Sequence, residues 1–200
     1  MDDGVTWFRD LAAGAICGSR ASLAKGNPMK AFVIRSQRLD LVLQTPDEVL
    51  AWVASLPSPD REEVSPEWIA KVRATAAGDP WSLAYATIER GSGITVGGCS
   101  FKGPPDGDGV VEVAYGVDEP YRGRGFAPEM VRGLVDFAFA GGLVKAVRAH
   151  TKPGNAASVR VLEKSGFRPL GEVHDPEDGP VQRWERRAGP MDASPRDEAR

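Results

Sequence analysis

Cysteine and histidine are scarce in this chain. Among 200 residues there are two cysteines, Cys17 and Cys99, and two histidines, His150 and His174. Two cysteines are too few for a disulfide framework and indicate a reducing compartment. Neither histidine has a neighbour at metal-ligand spacing, so no metal site is predicted. Cys99 lies in a strand pattern and is predicted to be a buried small apolar residue rather than a nucleophile.

Excess charge and long apolar runs are missing as well. The 25 basic and 28 acidic residues leave a formal net charge of −3, which argues against a general nucleic-acid binder. The apolar stretch at residues 11–17 is too short to span a bilayer. Asp2, Asp3 and Asp10 precede it where a secretory signal would be basic. We therefore predict a cytoplasmic protein with neither nucleic acid nor membrane among its partners.

The length predicts one folded domain with an extension at each end. A chain of 200 residues is long enough for a single domain with a substantial core. Residues 1–30 are interpreted as an N-terminal extension that is disordered or not native to the domain. Residues 31–187 are the predicted domain, and residues 188–200 are a predicted disordered tail.

Strand and helix patterns follow one another along the predicted domain. Helices are predicted to start at Thr45, at Ser65 and at Asn155, where capping residues stand before apolar stripes. Period-two alternation predicts strands at residues 32–44, 83–89, 95–102, 110–117, 143–151, 167–174 and 181–187. This order predicts an α/β sandwich with a central mixed, mostly antiparallel sheet and flanking helices.

The stretch from Val110 to Ala140 carries the clearest pattern. Its first half alternates like a strand, and its second half has an apolar stripe at helical spacing that ends before two glycines. Between the halves lies the sequence Arg-Gly-Arg-Gly-Phe-Ala at residues 122–127. The first turn of a helix leaves N–H groups unpaired and carries a partial positive charge, which suits a phosphate.

The glycines and arginines of this loop strengthen the prediction of an anion site. Gly123 and Gly125 can take positive φ, while Arg122 and Arg124 add charge and forked donors. The alternative is a tight strand-to-helix turn with solvated arginines. A dinucleotide fingerprint does not fit, because Pro128 occupies its third small position and no acid ends the next strand. The phosphate-binding loop motif of nucleotide triphosphatases does not occur in the sequence.

Two sequence blocks resemble the GNAT superfamily of acetyl-CoA-dependent N-acetyltransferases. Arg122, Gly125 and Ala127 fill the family signature Q/R-x-x-G-x-G/A, and residues 155–167 resemble the helix that follows about thirty residues later. The opening at residues 35–41 is similar to the first strand of the Rim-type branch, which includes the ribosomal-protein N-terminal acetyltransferases. The resemblance covers about residues 32–187 and implies a GNAT-like sandwich with acetyl-CoA as co-substrate and no metal.

The resemblance also implies how acetyl-CoA is held. Tyr115 and Val117 would contact the pantetheine, Val117 through its backbone, and Asn155 would bond the pantetheine or the substrate. The alternatives are that the first two side chains are core residues and that Asn155 only caps its helix. The pyrophosphate would be held by Arg122, Gly123, Arg124, Gly125, Phe126 and Ala127.

Acetyl transfer to an amine requires a proton acceptor, because primary amines are mostly protonated at neutral pH. Glu112 is the candidate, since it lies on the central strand about 17 Å before the loop at roughly 3.3 Å per residue. Related enzymes often place a base in this part of the strand. The alternative is a cross-strand ion pair on a solvated face.

The sequence departs from the family pattern at the residue that gives a proton to the leaving thiolate. Many members have a tyrosine seven residues after the asparagine, and Leu162 stands there in this chain. Either Ser158 takes the role or the proton comes from water or from the amine. Ser158 could also be only a hydrogen-bond donor to the thiolate or a structural residue of the helix.

We therefore predict an N-acetyltransferase that works by direct attack in a ternary complex. The acceptor is a primary amine, either a protein N-terminus or a small molecule, and a homodimer through the last strands is left open. The alternative is a non-catalytic acyl-CoA-binding sensor or regulatory module, which the loss of the tyrosine at Leu162 keeps open.

Overall fold

The computed structural model describes residues 32–55, 58, 61, 64, 66–175 and 179–189. The predicted extension at residues 1–30, Cys17, and the tail beyond residue 189 lie outside them.

Strands and helices occur in the predicted order. The helices are α1 (Pro46–Ser55), α2 (Pro66–Ala74), α3 (Phe126–Ala140) and α4 (Ala156–Lys164), with a 3-10 turn at Glu119–Tyr121. The strands are β1 (Val33–Arg35), β2 (Leu39–Leu43), β3 (Ala84–Glu89), β4 (Ile94–Phe101), β5 (Val110–Val117), β6 (Ala146–Thr151), β7 (Arg168–Asp175) and β8 (Gly179–Arg187).

The described strands form one mixed sheet in the order β1-β2-β3-β4-β5-β6-β8-β7. Neighbours are antiparallel except β5 and β6, which run parallel. That parallel pairing covers Val110–Glu112 only, whereas β4 pairs with β5 from Val113 to Val117. The predicted fold class is confirmed.

The first predicted strand is wrong as a single element. Residues 32–44 form two antiparallel strands, β1 and β2, because the chain reverses at Ser36 and closes with a hydrogen bond from its N–H to the carbonyl of Leu39 at 2.9 Å. The turn residues are polar and two of them bind a carboxylate of α3, Glu129. Strand β6 also begins later than predicted, at Ala146, and Leu143 is 78% exposed.

Helix ends follow the local sequence signals. Thr45 and Glu48 form a reciprocal capping box at α1, with backbone-to-side-chain distances of 3.2 and 2.8 Å. At the end of α4, Gly166 takes a φ of 80°, and the N–H of Phe167 reaches the carbonyl of Leu162 at 3.0 Å. These signals are local, so the sequence predicts them well.

Helix α3 anchors the loop that precedes it. Met130, Leu134 and Val135 have no exposed surface and belong to the same apolar cluster as the inward side chains of β2, β4 and β5. At its far end Phe137 packs edge-on against Phe32, with ring centroids 5.4 Å apart. Burial of this stripe fixes where the N-terminus of α3 lies relative to β5.

Candidate active site

The loop between β5 and α3 has the backbone that its glycines predict. Gly123 and Gly125 take φ values of 77° and 79°, in the left-handed region that other residues adopt at a cost. Gly125 is the residue that precedes α3. The loop from Arg122 to Gly125 is exposed, whereas the ring of Phe126 is buried in the core. Phe126 therefore offers only its backbone to a ligand, and Ala127 is half-buried behind it.

Both arginines of the loop are tied to it by their own side chains. Nε of Arg122 donates to the carbonyl of Val117 at 3.0 Å, and Nη2 of Arg124 donates to the carbonyl of Pro120 at 3.2 Å. Their remaining guanidinium N–H groups are available to an anion, and forked donors of this kind suit phosphate oxygens. The loop can hold a diphosphate.

The second half of β5 has one open edge. The N–H of Lys102 donates to the carbonyl of Glu112, and the N–H of Asp118 donates to that of Val96, so even-numbered residues of β5 direct their backbone groups to β4. Because these directions alternate along a strand, Tyr115 and Val117 direct theirs away from β4. Pairing with β6 stops at Glu112, so among the described strands none covers that side. An extended ligand with amide groups can bind along this edge.

Glu112 lies at the start of the open edge among basic side chains. Its carboxylate forms an ion pair with Nζ of Lys102, and Nδ1 of His150 lies 3.0 Å from its Oε1. Nε2 of the same imidazole accepts a hydrogen bond from Nε of Arg183 at 3.2 Å. Since Nε2 accepts, the proton of the neutral ring is on Nδ1 and points to Glu112. The four groups form one chain that runs from Lys102, just after β4, across β5 and β6 to β8.

These contacts hold Glu112 in its ionised form. Burial acts to raise the pKa of Glu112, but the hydrogen bond from His150 and the charge of Lys102 outweigh it and lower the pKa from 4.5 to about 2. The side chain is 22% exposed, so the ion pair lies on a shielded face rather than a solvated one. The carboxylate stays charged at every pH at which an amine is free to react.

The low pKa of Glu112 makes the fold sensitive to acid. A carboxyl whose pKa is depressed on folding stabilises the protein above its unfolded pKa, and that contribution is lost as the pH falls through the folded value. We expect the free energy of unfolding to drop by about 3 kcal/mol from this group between about pH 4.5 and pH 2. Urea titrations at successive pH values measure it.

The Glu112→Gln variant is the control for the acid titration. It removes the titrating group, so its free energy of unfolding should fall less steeply than that of the wild type across the same range. If the free energy of unfolding fell equally steeply with pH in both proteins, other carboxyls would be responsible for the loss of stability.

Asn155, Ser158 and Tyr115 meet at the first turn of α4. Oδ1 of Asn155 accepts from the N–H of Ser158 at 3.0 Å, so Asn155 does cap its helix. The hydroxyl of Tyr115 lies 3.5 Å from the carbonyl oxygen of Ser158, long for a hydrogen bond, and burial raises the pKa of Tyr115 to about 12. Leu162 is a core residue with no exposed surface.

The structure also shows the environment of Cys99. Cys99 has no exposed surface, and burial raises the pKa of its thiol to about 12, so its prediction as a buried apolar residue is confirmed. Within the described ranges no group of three or more histidine, cysteine or acidic side chains could hold a metal. In that part of the chain no helix has both the length and the apolar character needed to cross a membrane.

Three residues of the site were missed by sequence reasoning. Lys102, His150 and Arg183 come from turns and strands far apart in the chain, and none has a motif around it. The sequence places Glu112 near the start of one predicted strand and His150 near the end of the next, so it carries no signal that they meet. The pairing register was needed to bring them together.

The site therefore consists of an exposed glycine loop with two arginines, an open strand edge that leads away from it, and an ionised carboxylate at the far end of that edge. The chain belongs to the acetyltransferase (GNAT) domain family, whose model matches residues 35–168. Over 101 residues it is 28% identical to an uncharacterized N-acetyltransferase of Bacillus subtilis, YjdG, a match that covers 50% of this chain and 58% of that protein. The chain spans about half the length of the curated relatives that it matches first.

Solved structures of acetyltransferases share the fold. The aminoglycoside acetyltransferase AAC(6')-Ib in complex with coenzyme A has a TM-score of 0.58 and 22% identity, covering 74% of this chain and 94% of its own. RimL, a ribosomal-protein alpha-N-acetyltransferase in complex with coenzyme A, has a TM-score of 0.58 and 16% identity, covering 78% and 98%. At these identities the similarity shows the fold alone. Members of the Rim-type branch are among several kinds of acetyltransferase that share it.

Proposed function

We propose that this chain is an acetyl-CoA-dependent N-acetyltransferase. The open edge of β5, which runs from Glu112 to the glycine loop at the N-terminus of α3, carries the proposal. Residues 122–127 would hold the pyrophosphate, with Phe126 contributing its backbone. Tyr115 and Val117 would bind the pantetheine amides through the backbone groups that face away from β4. The residues present fit the ligand, which supplies the thioester.

A direct attack of the amine on the thioester gives a balanced reaction. The nitrogen lone pair of the amine attacks the thioester carbon, the carbon–sulfur bond breaks, and the amine loses one proton while the sulfur gains one. We assign the amine proton to Glu112, whose carboxylate is ionised throughout the neutral range. A base with so low a pKa cannot take a proton from a free ammonium efficiently. It can take one from the nitrogen after the new bond forms, when that nitrogen is more acidic.

Ser158 and Asn155 are proposed to serve the sulfur end of the reaction. Both lie at the N-terminus of α4, where the helix carries partial positive charge. That charge favours a thiolate, and the Ser158 hydroxyl can donate a hydrogen bond to it. The carbonyl oxygen of the thioester gains negative charge during the attack, and backbone N–H groups of the open strand edge can bind it.

The acceptor is proposed to be a primary amine, either a protein N-terminus or a small molecule. Structural neighbours include the alpha-N-acetyltransferase RimL, an aminoglycoside acetyltransferase and a spermidine N-acetyltransferase chimera. An N-terminal α-amine, with a pKa near 8, has about a tenth of its population free at neutral pH, so it needs no base to reach the form that attacks. A lysine-like amine is far more protonated.

Release of free thiol from acetyl-CoA against a panel of amines tests the proposal. The panel contains peptides with different N-terminal residues, spermidine and an aminoglycoside, and mass spectrometry locates the acetyl group. We expect turnover with at least one member. Binding of acetyl-CoA by calorimetry with no acetylated amine would favour the sensor, which the core position of Leu162 keeps as the second candidate. An absence of binding would overturn both.

A further inference from the structure

A carboxylate inside α3 is bound by the turn between β1 and β2. Glu129 is 6% exposed, and its Oε1 accepts from the hydroxyl of Ser36 and from the N–H of Arg38, each at 2.6 Å. Its Oε2 accepts from Nε of Arg38 at 2.9 Å. A buried carboxylate with this many donors is held firmly, so the turn is fixed to the first turn of α3.

The rest of the Arg38 guanidinium extends from Glu129 to the glycine loop. Nη1 donates to the carbonyl of Arg124 at 3.1 Å, and Cζ lies 4.9 Å from the centroid of the Phe126 ring. Nη2 is 3.5 Å from the place where a Cβ on Gly125 would lie. One side chain therefore contacts Arg124 and Phe126 and lies beside Gly125 between them.

The hydrogen bond to the Arg124 carbonyl sets the direction of an amide. The peptide unit is planar and trans, so its C=O and N–H point in opposite directions. With the carbonyl of Arg124 held by Arg38, the N–H of Gly125 must point away from Arg38. Gly125 is the residue before α3, where unpaired amides bind anions.

We propose that Arg38 is a positioning residue for acetyl-CoA, which holds the loop peptide between Arg124 and Gly125 so that its N–H faces the pyrophosphate. The inference rests on the proposed function and adds to it a residue outside the loop, 86 positions before Arg124. Without the guanidinium this peptide can rotate, and its carbonyl would then face the phosphates and repel them.

Arg90 offers a matched control. Its side chain has nearly the exposure of Arg38, 46% against 45%, and it binds the same turn through the carbonyl of Ser36 at 2.9 Å. Its other partners are Asp40 and the carbonyls of Gln37 and Leu39. Within the described part of the chain, its side chain forms no hydrogen bond with residues 122–129. Arg38→Met and Arg90→Met therefore each remove one positive charge that binds this turn, and only Arg38 also binds the glycine loop.

Calorimetry with coenzyme A and kinetics with two thioesters test the inference. For Arg38→Met we expect the Kd for coenzyme A and the KM for acetyl-CoA to rise by about 10-fold, as for one lost charge-assisted hydrogen bond. Both kcat and the KM for S-acetylpantetheine, which has no pyrophosphate, should stay unchanged. Arg90→Met should change none of these. Arg38→Lys, which keeps a cation beside Glu129, should behave as Arg38→Met.

Three results would overturn the inference. These are an unchanged Kd for coenzyme A in folded Arg38→Met or Arg38→Lys, an equal loss for both thioesters, and an equal loss in Arg90→Met. If no acceptor amine is found, the calorimetric comparison decides alone. Failure of the wild type to bind coenzyme A would instead refute the proposed function. A failure of the proposed function can thus be told apart from a failure of the role assigned to Arg38.

Discussion

Replacing Glu112 by glutamine is expected to lower kcat by about 100-fold or more, within the range that general bases contribute, while the Kd for acetyl-CoA stays within about two-fold. Glutamine keeps the shape of the side chain but cannot take up a proton. The phosphate loop lies at the other end of β5 and is not touched by the change. Steady-state kinetics and calorimetry on the same preparation measure both quantities.

A second effect of this substitution has to be separated from the first. Glutamine leaves Lys102 without its ion-pair partner, and a shielded cation without a counter-charge destabilises the fold. The double variant Glu112→Gln, Lys102→Met removes that cation. We expect it to regain much of the thermal stability and none of the kcat.

The control for the charge change is Glu172→Gln, which alters an exposed carboxylate on β7. It should leave kcat and stability unchanged. If the double variant regained the wild-type kcat, Glu112 would be shown to act through stability alone and its assignment as proton acceptor would fail.

Gly97→Ala is expected to destabilise the protein by about 3 kcal/mol, which for a domain of this size lowers the Tm by about 10 °C. A Cβ on Gly97 would lie 2.2 Å from the carbonyl oxygen of Gly116 and 3.0 Å from Cα of Val117. Both contacts are backbone atoms of β5, paired directly with β4, so neither can move without breaking the ladder. Thermal unfolding followed by circular dichroism measures the change.

Gly91→Ala is the matched control for Gly97→Ala. Gly91 lies in the turn between β3 and β4, and nothing stands within 4 Å of a Cβ placed there. Its Tm should stay within about 2 °C of the wild type. Equal Tm values for the two variants would contradict the predicted overlap.

Local patterns predicted the part of the site that is built from one stretch of chain. Alternation along β5, the apolar stripe of α3 and the glycines between them act over a few residues, and the φ values of Gly123 and Gly125 follow from residue type. The cap at Asn155 was predicted for the same reason. Their roles toward a ligand remain predictions.

The surroundings of Glu112 could not be predicted, because they depend on which strands are neighbours. Lys102 and His150 reach Glu112 because β4 and β6 are both neighbours of β5, and Arg183 reaches His150 because β8 rather than β7 lies beside β6. The sequence predicted a closing hairpin but did not indicate which of its strands pairs inward. The low pKa of Glu112, and with it the kind of base it can be, follows from Lys102 and His150 and therefore from the position of β5 between β4 and β6.

The turn at Ser36 was missed for a related reason. Leu39, Leu41 and Leu43 alternate as predicted, and the residues before them continue a similar pattern. The turn is bound by Glu129, a buried carboxylate more than ninety positions later. A contact over that separation leaves no trace in a local pattern.

The short ladder between β5 and β6 is also the boundary between an N-terminal and a C-terminal group of strands. Strands β1 to β5 and α3 come before Gly141, strands β6 to β8 come after Gly142, and the ladder between the two groups spans Val110–Glu112. Gly141 and Gly142 are exposed, and a Cβ on either would meet nothing within 4 Å. We therefore expect new chain ends or an inserted domain to be tolerated at this turn, with each half keeping its own hydrogen-bonded strands.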